Sequence, residues 1–424
     1  MRVTIKTEHI IMSLLIMLGI FQYIGSGFLS IATTLLIVLT SAFLPISALI
    51  IALHMCLPFF NLMNRQLGSV SMYYLLIIIF ALRYVLSKEP KYKLLQKLFL
   101  LVFLFLIRVW DVGPRFFSWY LLLIPLVLSY KEDFFAKSLI RIISATSMSM
   151  ILSCFFGFVM MVNNLSIYDH SYVWNQGTIT TRFAGLIGDS VFLGMMLALL
   201  VALNFVILAS FSNKKLPVLY IVAMCVFGLI TYSRIFVAAI LFCIVFFFMI
   251  TIKSRKCFGG FALLLASLSV TILIILQSSD LLAENFTLRF LTQDLTTGRL
   301  SIIEHYANLI RLNPLSLFIG ISYYDYTMPF IPAGRVSISR YAHNIFLESI
   351  FVFGLFFAIC FMIIGIYKLI KYVLSNGITI ELLPLFVLIL YGFVLHGHFA
   401  FSYYASAALV LGVLSCRTLS ERML

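Results

Sequence analysis

Residues 184–211 read AGLIGDSVFLGMMLALLVALNFVILASF, in which Asp189 is the only charged residue. An apolar run of this length can span the hydrocarbon core of a bilayer as one helix. Apolar stretches of similar character recur from His9 to Cys416, and no hydrophilic block of domain size lies between them. The sequence therefore predicts an all-α integral membrane protein whose residues 1–424 form a single polytopic domain.

The overall composition supports this class. Of the 424 residues, 63% are hydrophobic and 10% are charged, whereas soluble chains carry about 25% charged residues. The net charge of +14 comes from basic residues in short runs between apolar stretches, where such residues set topology and meet anionic membrane lipids. Nucleic acid is therefore not an expected partner. The seven cysteines include no C-x-x-C pair, which indicates neither a zinc site nor a disulfide framework.

The lysines predict which loops face the cytoplasm, because short cytoplasmic loops are enriched in basic residues. Counting spans between lysine clusters predicts about fourteen transmembrane helices, within a range of about twelve to fourteen. Both termini are then cytoplasmic. The clusters are Lys6, the lysines of 88–97, Lys131 and Lys137, Lys214 and Lys215, Lys253 and Lys256, and Lys368 and Lys371. The predicted spans are 10–27, 29–43, 46–62, 70–87, 98–110, 116–130, 138–162, 184–211, 216–232, 234–252, 258–277, 343–371, 381–396 and 399–416.

Two predicted external loops are long, the first at 163–183 and the second at 278–342. The second mixes aromatic, proline, glycine and charged residues, so we expect it to fold on the membrane surface. Within it, Thr297–Leu312 places apolar residues near helical spacing behind a threonine cap. This pattern predicts a short amphipathic helix lying in the membrane interface.

The predicted external side carries no lysine but keeps several arginines. Guanidinium has a rigid fork of donors that suits phosphate oxygens, so arginines that persist there favour binding of phosphate. Pairing with carboxylates and snorkelling to lipid headgroups are the alternatives. The arginines are Arg65, Arg108, Arg115, Arg182, Arg234, Arg289, Arg299, Arg311, Arg335 and Arg340.

Three of the external basic residues form a candidate site. Arg234 lies at the turn between two spans in TYSRIFVAA, Arg299 begins the amphipathic stretch, and His343 precedes a span in HNIFLESIFVFG. A helix N-terminus favours neutral imidazole, so two arginines and this histidine suggest a diphosphate clamp with a general base. The alternatives are snorkelling of Arg234, pairing of Arg299 with a nearby carboxylate, and a helix-cap role for His343.

These motifs, in this order, resemble the O-antigen polymerase and O-antigen ligase superfamily of polytopic bacterial enzymes. The resemblance covers 231–354 and rests on S-R in TYSRIFVAA, T-G-R, the N-P and Gly of RLNPLSLFIG, and H-N-x-x-L-E in HNIFLESIFVFG. Upstream, RFAGLIGDSVFLG resembles the R-x-x-G pattern of the superfamily, although GDSVF replaces the commoner asparagine and proline, which leaves a family role for Asp189 in doubt.

The resemblance implies a GT-C-like membrane fold and a role for each matched residue. Arg234 and Arg299, with Arg182 as a lesser candidate, would bind the diphosphate of a polyprenyl-linked glycan, and His343 would activate the acceptor hydroxyl. It implies no metal ion and no other cofactor. Glu304 and Glu348 are alternative catalytic carboxylates, although a helix-surface or arginine-pairing role is favoured for both.

Two further groups are candidate glycan-binding residues. Tyr168, Tyr172 and Trp174 form an aromatic patch of the kind that stacks on sugars, although an interfacial aromatic belt has the same composition. His396 and His398 lie at a predicted external turn, where a structural or acceptor-binding role is favoured over metal binding.

The resemblance thus implies a metal-independent, inverting glycosyltransferase of the bacterial inner membrane with its active site facing the periplasm. Polymerisation of undecaprenyl-diphosphate-linked oligosaccharide repeat units is favoured, with membrane lipids and a chain-length regulator protein as further partners. A ligase that transfers the glycan to lipid A core is the alternative. A flippase or transporter of lipid-linked sugars would instead place charges inside many spans.

Overall fold

The structure of the protein is a computed structural model, whose regular secondary structure is helical apart from one small hairpin in the residues it describes. These are 7–65, 71–87, 91–106, 114–163, 165, 173–175, 178–180, 182–210, 215–251, 308, 311, 314–320, 344–394 and 401–415.

Among the described residues, eleven helices precede the large predicted external loop and run through most of the apolar stretches of the N-terminal half. They are α1 (Thr7–Ile24), α2 (Gly27–Ala42), α3 (Ile46–Cys56), α4 (Phe60–Arg65), α5 (Met72–Leu86), α6 (Lys91–Leu106), α7 (Pro114–Ser129), α8 (Asp133–Val162), α9 (Ser190–Ser210), α10 (Lys215–Ile230) and α11 (Arg234–Thr251). A 3-10 turn, Leu57–Phe59, joins α3 to α4.

In the described residues that follow, there are five more helices. They are α12 (Ser316–Ile319), α13 (Ile345–Phe353), α14 (Leu355–Asn376), α15 (Leu383–Gly392) and α16 (Phe401–Ser415). A 3-10 turn, Ile380–Leu382, precedes α15.

Helix α9 lies at the centre of the bundle. Its apolar window is 94% buried, and it packs against α8, α10, α11 and α15. The helix begins where Asp189 Oδ1 accepts hydrogen bonds from the backbone N–H groups of Val191 at 2.8 Å and Phe192 at 3.0 Å. Asp189 is therefore an N-cap, which gives a local structural reason for the aspartate where the superfamily pattern differs.

Four helical segments in the described part of the chain are long and apolar enough to cross a membrane: Ile46–Met63, Asp133–Val162, Ser190–Ser210 and Leu355–Asn376. The described residues also contain shorter apolar helices of 10–17 residues. Every predicted span except 258–277, which lies outside the described residues, overlaps one of these helices. The count of about fourteen crossings stays a prediction.

Two predicted span boundaries are wrong. The stretch 343–371 is not one helix, because Gly354 has a φ of 84° and separates α13 from α14. A left-handed residue cannot continue a right-handed helix, and glycine adopts that conformation without a Cβ clash. The predicted span 184–211 starts too early, since 182–189 is non-helical and the helix begins at Ser190.

The first external loop contains a short antiparallel hairpin that the sequence analysis did not predict. Strand β1 (Val173–Asn175) pairs with β2 (Thr178–Thr180) in the register Trp174 opposite Ile179. In the second loop, Pro314 opens the single turn of α12, and Gly320 ends it with a φ of 85°. Pro314 and Gly320 of this motif therefore flank one short helix, which packs against α13 and α14.

Three predicted cytoplasmic loops meet at one end of the bundle. Lys97 on α6 forms an ion pair with Glu132, the residue before α8. Lys131 and Lys368 both lie over the ring of Tyr130, with Nζ at 5.4 Å and 5.8 Å from its centroid. These contacts bring three lysine clusters to the same side, as the predicted topology requires. That this side is cytoplasmic stays a prediction.

Candidate functional site

The turn between α10 and α11 places Arg234 at the first position of α11. Thr231 Oγ1 donates to the Gly228 carbonyl oxygen at 2.6 Å and accepts from Ser233 N–H at 3.3 Å. Tyr232 has a φ of 50°, a left-handed conformation that is uncommon for a bulky residue. The chain therefore reverses within three residues, and Arg234 follows directly at a helix N-terminus.

The phenol of Tyr232 is buried in this turn. Its side-chain oxygen meets no hydrogen-bond partner in the described part of the chain. A buried phenol therefore lies two residues before Arg234.

Arg182 contacts the same turn from the loop that precedes α9. Its Nε donates a hydrogen bond of 3.1 Å to the carbonyl oxygen of Thr231, and the arginine is only 3% exposed. A buried guanidinium needs such partners, since an unpaired buried charge is costly. The structure thus brings Arg182 to the turn that carries Arg234, two arginines that the sequence analysis assigned to one site.

Segment 182–189 is held in place by contacts with two neighbouring helices. Asn61 of α4 donates a side-chain hydrogen bond to the carbonyl oxygen of Ile187. On α8, a Cβ added to Gly157 would lie 2.6 Å from the Cα of Gly185, so the two backbones touch. Gly185 itself has a φ of 54°. The non-helical segment is therefore fixed against the bundle, and Arg182 begins it.

Helix α13 begins next to the predicted base. Asn344 Oδ1 accepts hydrogen bonds from Phe346 N–H at 3.0 Å and Leu347 N–H at 3.1 Å, which makes Asn344 the N-cap. His343 is the preceding residue in the sequence and lies outside the described residues. Glu348 on the first turn is fully buried, so its interpretation as a helix-surface residue is wrong.

The end of α15 lies between the turn that precedes Arg234 and the start of α13. A Cβ on Gly194 of α9 would lie 3.4 Å from both Ser233 Oγ and Tyr391 Oη, so Tyr391 reaches the arginine turn. A Cβ on the next residue, Gly392, would lie 2.8 Å from Cγ2 of Ile345, the first residue of α13. The turn before Arg234 and the start of α13 therefore both pack against the same end of α15.

The structure describes only some of the other predicted external residues. Trp174 lies in β1, and Arg311 is helical and exposed within the predicted amphipathic stretch. The residues that lie outside the described ranges are Arg299, His343, Tyr168, Tyr172, His396 and His398.

Three residues near this site, Asn61, Tyr391 and Gly392, are not predicted by the sequence. Asn61 had a weak signal, because it is an amide near the end of an apolar span. Tyr391 and Gly392 had none, since they continue an apolar run with no polar spacing.

Comparison with known proteins gives one match. Residues 219–362, about a third of the chain, match the family described as O-antigen ligase (Wzy_C). The matched range includes the turn at Arg234 and the start of α13. No curated protein and no solved structure matches significantly. This match confirms that residues 219–362 resemble the O-antigen polymerase and ligase superfamily, and the apolar helices indicate a membrane protein.

Proposed function

We propose that this protein is an O-antigen polymerase that joins undecaprenyl-diphosphate-linked oligosaccharide repeat units on the periplasmic face of the inner membrane. Arg234 and Arg299 bind the diphosphate of the donor, and His343 is the general base. Arg182 supports the turn that presents Arg234. No metal ion takes part, and a chain-length regulator is a further proposed partner.

The reaction is a single displacement at the anomeric carbon of the donor glycan. His343 removes the proton from an acceptor sugar hydroxyl, whose oxygen forms a new C–O bond to that carbon. The bond from the carbon to the diphosphate oxygen breaks, and the electron pair leaves with the lipid diphosphate. The two arginines stabilise the negative charge that develops there. Attack from the opposite side inverts the anomeric configuration.

The contact between Arg182 and Thr231 is the main support for this site. It joins Arg182 to the buried turn that directly precedes Arg234, with 3.1 Å between Arg182 Nε and the carbonyl oxygen of Thr231. In an arrangement that served only to snorkel, arginines would extend toward lipid headgroups. Arg182 instead is nearly fully buried, as expected for a residue that organises a binding site.

A ligase is the second candidate, and the description of the matching family favours it. It would use the same diphosphate clamp and the same base with a different acceptor, a sugar of lipid A core. We favour the polymerase because the first external loop carries an aromatic patch suited to a glycan acceptor, and Trp174 of this patch lies in the β1–β2 hairpin.

The test is an assay of purified protein with an undecaprenyl-diphosphate-linked repeat unit as the sole substrate, in the presence of EDTA, with the products sized on a gel. A ladder of products is the expected result for the polymerase. Transfer only after lipid A core is added would establish the ligase instead. No product in either reaction would contradict both and favour a transporter.

A further inference from the structure

We infer that Tyr391 and Gly392, the last two residues of α15, are positioning residues that set the spacing between the Arg234 turn and the start of α13. The inference rests on the proposed function, because it assigns the diphosphate to the first feature and the base to the second. Neither residue needs to touch substrate for this role.

Tyr391 supports the arginine side. It is fully buried, and its hydroxyl completes no regular hydrogen bond with a described residue. Its polar neighbours are Ser233, which directly precedes Arg234, and Arg182. Burial of a hydroxyl lowers the stability of the folded protein unless the hydroxyl interacts with polar groups. Tyr391 therefore contributes its dipole to the turn that presents Arg234.

Gly392 supports the histidine side. Glycine in a helix is less favourable than alanine by about 0.5–1 kcal/mol, so a helical glycine needs a reason. A positive φ is not the reason for glycine at 392, because Gly392 does not have one. The reason is the close approach of Ile345, because a Cβ at 392 would lie 2.8 Å from Ile345 Cγ2. The missing side chain lets α13 begin against α15.

Neighbouring contacts restrict any adjustment of this junction. The rings of Phe346 and Phe393 lie 4.7 Å apart between centroids, and Tyr403 Oη of α16 donates to the Leu388 carbonyl oxygen at 3.4 Å. Ile345 is β-branched and has little rotamer freedom in a helix. A methyl group at 392 would therefore displace the start of α13 itself, two residues after His343.

Substitutions at the two residues should change different kinetic parameters, kcat for Gly392 and KM for Tyr391. With whichever acceptor the wild-type protein uses, we expect Gly392→Ala to lower kcat at least tenfold and to leave KM for the lipid-linked donor within about twofold. We expect Tyr391→Phe to raise that KM at least fivefold, with kcat within about twofold. The double variant Gly392→Ala/Ile345→Ala removes the crowded Cγ2 and should recover most of the lost kcat.

Two glycine variants are matched controls. Gly365→Ala on α14 meets nothing within 4 Å and should match wild type. Gly412→Ala would place a Cβ 2.4 Å from Phe135 Cε1, where α16 packs on α8, so it should lower thermal stability without changing KM or kcat of the folded fraction.

The outcomes separate the two proposals. The spacing role is supported if the wild type is active, Gly392→Ala lowers kcat, Tyr391→Phe raises KM, and Ile345→Ala restores the kcat of Gly392→Ala. An active wild type with Gly392→Ala and Tyr391→Phe variants that behave alike, or without rescue, overturns it. A wild type that transfers glycan to neither acceptor overturns the proposed function, and the spacing role with it.

Discussion

Arg182 Nε donates a hydrogen bond of 3.1 Å to the carbonyl oxygen of Thr231, across 49 positions of sequence. The contact joins the loop before the central helix α9 to the turn before α11. Arg234 begins α11, so its position depends on a residue that lies outside the matched range 219–362. The candidate diphosphate site therefore requires a loop from one part of the chain and a turn from another.

Replacement of Arg182 by alanine should reduce glycan transfer at least tenfold. The change leaves the Thr231 carbonyl without this donor, and loss of a buried hydrogen bond to a charged group costs about 1–3 kcal/mol. Transfer assays together with thermal unfolding in detergent measure both effects. An Arg182→Ala protein with wild-type KM for the donor would contradict the role of Arg182 at the turn.

Replacement of Gly157 by alanine should also impair the site. The new Cβ would lie 2.6 Å from Gly185 Cα, a backbone atom that cannot move without shifting the segment that carries Arg182. We expect a lower melting temperature and a higher KM for the donor. Gly27→Ala is the control, because nothing lies within 4 Å of its Cβ position. Equal KM values for the donor in the Gly157 and Gly27 variants would show that the contact between Gly157 and Gly185 does not affect the site.

Replacement of His343 or Arg299 by alanine should abolish product formation while the protein remains folded. Each would remove one chemical group of the proposed displacement, the base or half of the diphosphate clamp. Monodispersity on size exclusion checks folding, and the gel ladder checks activity. Arg311→Ala is the control, since Arg311 is exposed in the same predicted stretch. Residual ladder formation by His343→Ala would require a different base.

A stability prediction concerns the opposite end of the bundle. Lys97 pairs with Glu132 and also donates to Tyr84 Oη at 2.9 Å and to the Leu128 carbonyl oxygen at 2.7 Å. Lys97→Met should lower the free energy of unfolding by about 3–5 kcal/mol, because it removes the ion-pair partner of the buried carboxylate, which keeps a hydrogen bond of 2.9 Å from Tyr84 Oη.

The double variant Lys97→Met/Glu132→Gln should recover part of this loss, since no buried charge remains unpaired. Arg141→Ala, which removes an exposed ion pair with Glu8, should cost less than about 1 kcal/mol. Thermal unfolding of the three variants checks the ranking. Equal destabilisation by Arg141→Ala and Lys97→Met would mean that burial does not determine the strength of these pairs.

The bundle could be predicted from sequence because each long apolar run must satisfy its backbone hydrogen bonds internally, which selects a helix. The break at Gly354 could not, since a glycine within an apolar run shows its left-handed φ only in the folded chain. The segment 182–189, which is buried from 182 to 187, is predicted in part to belong to a span for a similar reason. Its apolar composition suits a helix, but Asn61 and Gly157 hold it in another conformation.

The candidate site was predicted in part. Arg182 and Arg234 were selected because arginine is unusual in short external loops, and the structure brings Arg182 to the turn before Arg234. Tyr391 and Gly392 were not selected, because their significance depends on which helices they contact. Such long-range contacts carry no local sequence period.

Binding of undecaprenyl diphosphate to the purified protein in nanodiscs, compared between wild type, Arg234→Lys and Arg234→Ala, tests the diphosphate clamp most directly. We predict that both variants bind at least tenfold more weakly, because a lysine point charge does not reproduce the paired donors of guanidinium. Wild-type affinity in Arg234→Lys would contradict the claim that the paired donors of guanidinium are needed. Wild-type affinity in Arg234→Ala would contradict the claim that Arg234 binds the diphosphate.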